Sequence, residues 1–354
     1  MGISSNCLYK SDVQKAAQSI DTKALDGQTI LITGATGLIG SAIVDVLLWK
    51  NRNEKSNIKI YAASRSPQKI DVRFEGYDKT DGLFAVRYDA CEAVKFEFHS
   101  DYIIHAASNA SPDAYIKYPV DTMLSNVLGM NELLKYAIHQ KTRKAIYVSS
   151  SEVYGVKLRE TPIEEEDYGR IDILNPRASY SVGKQATETL CVSYAHQFGC
   201  DISIVRPGHI YGPTAIESDQ RASSAFARLA ADKRDIVMKS PGKQIRSYCH
   251  CLDCATAILT VLLYGKNAEA YNISNKNSII TIHQMAELLA QYGGVSIKNE
   301  FPSNDDIAAF NPMENSSLDS TKLEGLGWKG IFSAEEGLSS TVEILRNIRK
   351  HQGE

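Results

Sequence analysis

Short apolar runs alternate with longer stretches whose apolar positions recur every three or four residues. Residues 28–33 form one such run, ending at Gly34, and residues 38–50 repeat apolar positions at helical spacing. Further runs at 58–63, 84–88, 103–107, 145–149 and 202–206 read as strands, and the stretches 120–140 and 178–198 as helices. Buried strands separated by amphipathic helices predict a parallel sheet covered on both faces, a doubly wound α/β fold. Past Arg206 the alternation is interrupted by Gly208, Gly212-Pro213 and Pro241-Gly242. Helices are expected there at 221–232 and 281–292, with short ones around Gly325 to Trp328. The chain is thus expected to divide into a first domain at 27–206, to which 246–265 returns, and a smaller one at 207–245 and 266–347. Residues 1–26 read as a helical or irregular lead-in.

Composition narrows the class. Of 354 residues, 43% are apolar and 23% charged, and the net charge is −3, so no nucleic-acid or anionic-membrane surface is implied. No apolar stretch approaches the ~20 residues of a membrane span. The first residues lack the apolar core of a signal peptide, and Asn6 stands where an acylation signal wants Ser or Thr. With seven cysteines, an odd number, reduced thiols in a cytoplasm are expected. Cys249, Cys251 and Cys254 cluster, but His250 is the one further ligand nearby and strand alternation turns it away, so no metal is expected.

Three constellations carry chemistry. In Gly34-Ala35-Thr36-Gly37-Leu38-Ile39-Gly40, between strand and helix, Gly34 suits the tight turn, Gly37 the approach of backbone amides to a pyrophosphate, and Gly40 close helix packing. The phosphates would meet the helix N-terminus, as in a Rossmann-type dinucleotide site. The second strand ends in Ser64-Arg65 with no carboxylate for a ribose hydroxyl, so NAD and NADP both remain open. Asp89 after the third strand could take the adenine amino group or cap its own loop. Next, Ser149-Ser150-Ser151-Glu152 closes a central strand at its carboxyl end, the ligand edge of such sheets. An extended chain there would turn Ser150 and Glu152 one way and Ser151 the other. Finally, Tyr180 and Lys184 lie one helical turn apart, where an ammonium favours a phenolate that could act as a base.

Together these motifs resemble the extended short-chain dehydrogenase/reductase family, the epimerases and dehydratases of nucleotide sugars. The likeness runs from about residue 27 to about 347 and includes His105-Ala106-Ala107-Ser108, Asn126-Val127-Leu128-Gly129, Arg206-Pro207 and Tyr271-Asn272-Ile273. It implies a bound NAD or NADP that is recycled, held by the Gly34 to Gly40 loop with Thr36, Leu38 and Ile39, by Ser64, Arg65, Asp89, Ala106, Ala107 and Ser108, and by Tyr180 and Lys184. It implies oxidation of a sugar at C4 by Tyr180, Lys184 and Ser150, with Ser108, Asn109, His209 and Arg246 on the substrate. Ser-Ser-Glu-Val-Tyr-Gly at 150–155 and Pro176-Arg177-Ala178-Ser179-Tyr180 look most like UDP-glucuronate decarboxylases. Ser151 replaces the acid that 4,6-dehydratases carry, and Glu152 points to chemistry beyond C4. A 4-epimerase, a 4,6-dehydratase and a non-catalytic nicotinamide-binding sensor or scaffold are the alternatives. His209, where relatives have Asn, and the loop 214–223 depart from the pattern. Relatives pair through two long helices, so a homodimer through 120–140 and 178–198 is expected.

Overall fold

The structure is a computed structural model that describes residues 2–108, 110, 112–157, 161–302 and 313–350. Along the chain come α1 (Cys7–Gln18), β1 (Thr29–Thr33), α2 (Leu38–Glu54), β2 (Lys59–Ser64), α3 (Pro67–Arg73), β3 (Leu83–Arg87), β4 (Tyr102–His105), α4 (Pro112–Lys117), α5 (Pro119–Gln140), β5 (Lys144–Val148) and α6 (Ser179–Phe198). They are followed by β6 (Ile202–Pro207), β7 (His209–Tyr211), α7 (Ala222–Ala231), β8 (Ile236–Met238), β9 (Ile245–His250), α8 (Cys251–Tyr264), β10 (Ala270–Ile273), β11 (Ile279–Thr281), α9 (Ile282–Gly293), β12 (Ile297–Asn299), β13 (Asn315–Ser316), α10 (Thr321–Glu324) and α11 (Ala334–Lys350).

Seven strands form a parallel sheet in the order β3-β2-β1-β4-β5-β6-β10. The doubly wound expectation is met. Every residue of β1, β5 and β6 is buried, because helices cover both faces. Ile30, Ile32, Ile104 and Ile146 face a core shared with α2 and α8. Their neighbours Leu31, Ile103, Ala145 and Tyr147 face the other way, onto α5 and α6. The strand order reverses between β1 and β4, which opens the crevice where such sheets bind ligands.

A second sheet forms around β9, which pairs with β7 and β13 in parallel and with β11 antiparallel. Helices α7, α9 and α11 pack over it through Ala227, Leu289, Leu338 and Val342. Segment 246–265 therefore has two parts: β9 lies in this sheet, whereas α8 packs on α2. The short helix α10 ends just ahead of the expected 325–328, and a long helix that was not expected follows it. Ala334, Leu338 and Val342 recur at four-residue intervals and are buried, which sustains the single long helix α11.

The lead-in also acquires a structure. Asn6 caps α1 by accepting from Tyr9 N at 3.1 Å. Buried Tyr9 donates its hydroxyl to Asp45 Oδ2 of α2 at 2.5 Å, and Arg73 of α3 ion-pairs with the same carboxylate. At the other side of α1, Ser340 of α11 donates to Asp12. Tyr9→Phe is expected to lower the unfolding free energy by about 1–3 kcal/mol, because it leaves a buried carboxylate one donor short. Urea unfolding of the two proteins checks this, and an unchanged midpoint would remove the clasp as a stabilising element.

Candidate active site

Helix α6 begins after a short turn at Pro176–Ala178, which the Asn175 side chain holds by accepting from Arg177 N at 3.0 Å. Tyr180, Lys184 and Glu188 then follow at one-turn intervals on a single buried face. Lys184 Nζ donates to the Val148 carbonyl, at the carboxyl end of β5, at 2.8 Å. It lies 4.8 Å from the ring centre of Tyr147 and 5.7 Å from that of Tyr180. Burial lowers the Lys184 pKa to about 7, against the opposing charge of Glu188. The Tyr180 phenol behaves differently from the expectation drawn from spacing. Burial pushes its pKa far above the ordinary value, the hydrogen bond from Ser150 and the charge of Arg221 oppose this, and Glu152 and Tyr115 add to it.

The serine-rich segment does not stay extended. Ser150 retains a strand-like backbone, and its hydroxyl accepts from Glu152 N at 3.2 Å, starting a 3-10 turn at Ser151–Tyr154. The alternation argument for Ser150, Ser151 and Glu152 therefore does not apply. The turn nonetheless leaves Glu152 close enough for its charge to be felt by both Tyr180 and Arg246. Gly155, at φ +63°, closes the turn where a Cβ would lie 2.6 Å from the Arg170 carbonyl oxygen, so only glycine fits. Tyr154 then donates to Asn272 Oδ1 at 2.6 Å and accepts from Arg206 Nη1 at 3.0 Å. Arg206 pairs with Glu188 at 2.6 Å, and its Nη1 also donates to the Glu165 carbonyl at 2.8 Å.

The second sheet supplies the opposite wall. His209 packs edge-on to Tyr248, with ring centres 5.8 Å apart. Burial, helped by Arg246 and Arg221, lowers its pKa to about 3, so the imidazole is neutral. Its Nδ1 is buried with no hydrogen-bond partner among the described residues. Arg246 is buried too and donates to the carbonyls of Ile245 at 2.9 Å and Met313 at 3.0 Å. Arg221 was not singled out from the sequence. Asp219 fixes it in a forked pair, Nε to Oδ1 at 3.0 Å and Nη2 to Oδ2 at 2.5 Å, at the start of α7. The signal was Asp219-Gln220-Arg221 just ahead of a helix, inside the loop noted as unusual.

Beside Glu152 opens a cleft of about 200 Å³, walled by Arg170, Asn175, Arg177 and Ser181.

The glycine loop fits a dinucleotide. Gly34 has φ +69°, and a Cβ there would lie 2.7 Å from the Ala106 backbone, while one at Gly40 would lie 2.2 Å from the Gly34 carbonyl oxygen. The backbones of β1, β4 and α2 thus meet at a point that admits no side chain. The first helical hydrogen bond of α2 runs from Ser41 N to Gly37 O at 2.9 Å, which leaves the amides of Leu38, Ile39 and Gly40 outside the helical ladder. Thr36 lies in the turn before them. Arg65 is exposed at the end of β2, next to Ser64, whose hydroxyl donates to the Ser66 carbonyl at 2.7 Å. Asp89 accepts from Cys91 N at 3.0 Å, capping its own loop. Ala106 and Ala107 follow β4, and Ser108 donates to Asn126 Oδ1 at 3.0 Å. Asn109 lies outside the described residues. Among the described residues, no three His, Cys, Asp or Glu side chains are grouped to hold a metal ion.

Residues 30–274 match the NAD dependent epimerase/dehydratase family. The chain is 31% identical over 320 residues to UDP-glucuronic acid decarboxylase 3 of Arabidopsis thaliana, covering 90% of this chain and 89% of that one. It is 28% identical over 330 residues to UDP-glucuronic acid decarboxylase 1 of Xenopus tropicalis, covering 92% and 74%. Among solved structures, dTDP-glucose 4,6-dehydratase from Streptomyces venezuelae, with NAD bound, superposes at TM-score 0.78 with 23% identity, covering 91% of this chain and 98% of that one. UDP-glucose 4-epimerase from Thermotoga maritima superposes at 0.75 with 22% identity, covering 91% and 99%.

In a titration of the lysine Cε resonances by NMR, Lys184 is expected to change charge near pH 7, far below an ordinary lysine. Glu188→Gln removes the charge that opposes burial, so the midpoint moves lower still. An upward shift, or a wild-type midpoint in the usual lysine range, would contradict this electrostatic account.

Proposed function

The chain belongs to the NAD dependent epimerase/dehydratase family, and we propose that it oxidises a nucleotide sugar at C4 and then decarboxylates it, with UDP-glucuronate as substrate. The observation that carries this reading is Glu152, a carboxylate felt by both Tyr180 and Arg246. The names and coverage of the Arabidopsis and Xenopus relatives support it. Bound NAD supplies the redox partner for C4. Tyr180 takes the C4 hydroxyl proton, Ser150 hydrogen-bonds the same oxygen, and the Lys184 ammonium stabilises the phenolate against the cost of burial. With C4 a carbonyl, the bond from C5 to the carboxylate can break with loss of carbon dioxide, its electron pair being delocalised into that carbonyl. C5 would then take up a proton beside Glu152, and return of the hydride and proton to C4 would leave a UDP-pentose with the cofactor restored. Arg246 and Arg221 offer guanidinium forks to the diphosphate. Neutral His209 lets the two arginines approach without a third charge.

The helices α5 and α6 pack side by side and leave Val120, Leu124 and Leu128 of α5 exposed at four-residue intervals, with Val192 of α6 exposed as well. We read this stripe as a homodimer face. The described residues contain no helix long and apolar enough to cross a membrane, and all seven cysteines are unpaired, which supports a reducing cytoplasm.

Incubation with UDP-glucuronate is expected to release carbon dioxide and leave a UDP-pentose by mass spectrometry. Tyr180→Phe and Glu152→Gln should each cost on the order of 100-fold or more in rate. A mass-neutral product would indicate an epimerase and loss of water a dehydratase. No turnover of any UDP-, CDP-, GDP- or dTDP-sugar, with Tyr180→Phe indistinguishable from wild type, would favour a nicotinamide-binding sensor. Light scattering should report a dimer, and the double change Leu124→Glu with Leu128→Glu a monomer. A wild-type monomer would remove the helical face as an interface.

A further inference from the structure

Lys184 is a buried ammonium with little to neutralise it. Among the described residues its one hydrogen bond goes to the Val148 carbonyl. The carboxylate of α6, Glu188, gives both oxygens to Arg206. Cys191, further along the same helix, is a buried thiol kept neutral because burial pushes its pKa up. What does face the ammonium is a ring: Tyr147 of β5, fully buried, with its centre 4.8 Å from Nζ. The Tyr180 ring is further off, at 5.7 Å.

Tyr147 is itself held by a row of side chains across three neighbouring strands. Thr33 of β1, His105 of β4 and Tyr147 of β5 are register partners on the face covered by α5 and α6. The Thr33 hydroxyl and His105 Nδ1 share a hydrogen bond of 2.7 Å. The His105 ring lies alongside that of Tyr147, 24° from parallel, with centres 6.0 Å apart. Burial and the Lys184 charge lower the His105 pKa to about 3, so the row adds no second cation. The Tyr147 hydroxyl meets Asn126 Oδ1 of α5 only at 3.5 Å, so the ring face is the stronger thing it offers. An aromatic face attracts a cation lying over it, and the attraction grows where water is excluded. We propose that Tyr147 is a positioning residue for Lys184, its ring face keeping the buried ammonium charged and fixed at the end of β5. The inference rests on the reading of Lys184 as the group that stabilises the Tyr180 phenolate.

Titration of the lysine Cε resonances in the NAD-loaded protein tests this, with three changes at position 147 beside wild type. Tyr147→Phe keeps the ring face and should leave the Lys184 midpoint near pH 7. Tyr147→Leu should lower it by about one pH unit. Trifluorophenylalanine at the same position keeps the shape but drains the ring face, so the midpoint should fall there too. It secures the test if the leucine variant folds poorly. At pH 7 a fall of about one unit cuts the charged fraction roughly fivefold. Turnover of UDP-glucuronate by Tyr147→Leu should drop by a similar factor, and the deficit should shrink toward about pH 5, below both midpoints. An unchanged or raised midpoint in the leucine and fluorinated proteins would overturn the role of Tyr147. If wild type turns over no nucleotide sugar, the proposed function fails, yet the order of the midpoints still decides whether the ring holds the charge.

Discussion

The buried pair between Arg206 and Glu188 is the contact on which the candidate site depends. Glu188 extends the face of α6 that carries Tyr180 and Lys184, and Arg206 belongs to β6 in the central sheet. The same guanidinium reaches the Tyr154 hydroxyl and the Glu165 carbonyl, while Glu165 accepts from the Asn272 amide at 2.8 Å. One cation thus fixes the helix bearing Tyr180 and Lys184, the turn bearing Glu152 and the strand β10 relative to one another. A buried ion pair is weak as a source of net stability, since desolvation offsets most of its attraction. Removing either partner would strand the other charge in the interior, and that asymmetry enforces a single arrangement.

Around this pair the two sheets divide the labour. The parallel sheet presents its carboxyl ends, where β1 and β4 part for the dinucleotide and β5 turns into the Ser150 segment. The second sheet brings His209 and Arg246 to face them, and Asp219 orients Arg221 from the loop before α7. The Thr214 hydroxyl of that loop donates to the Leu38 carbonyl at 3.0 Å, so it also touches the start of α2. Arg246 and the Asp219-paired Arg221 thus stand on this side, while Tyr180, Lys184 and Ser150 lie on the other.

What the sequence revealed and what it concealed separate by the range of the interactions. β1, β5 and β6 were legible because strands buried on both faces must be continuously apolar. The Gly34 to Gly40 loop and the Tyr180/Lys184 pair were legible because each is a local pattern with a fixed geometric meaning. The turn at Ser151–Tyr154 was not, since an apolar strand gives no sign that Ser150 will cap a 3-10 turn and Gly155 close it. The direction of the Tyr180 shift was hidden for another reason: spacing shows the nearby lysine, whereas burial comes from the packed neighbours, including Tyr115. The docking of α1 needed Tyr9, Asp45 and Arg73 together, and no short window contains all three.

That same clasp bears on how the protein matures during synthesis. All three of its members have left the ribosome once residue 73 has emerged, whereas the dinucleotide cradle must wait for Ala106 to back Gly34, and Arg206 for Asn272 to complete its surroundings. A nascent chain can therefore secure its first helices before the glycine loop gains its backing, and the surroundings of Arg206 are completed later still.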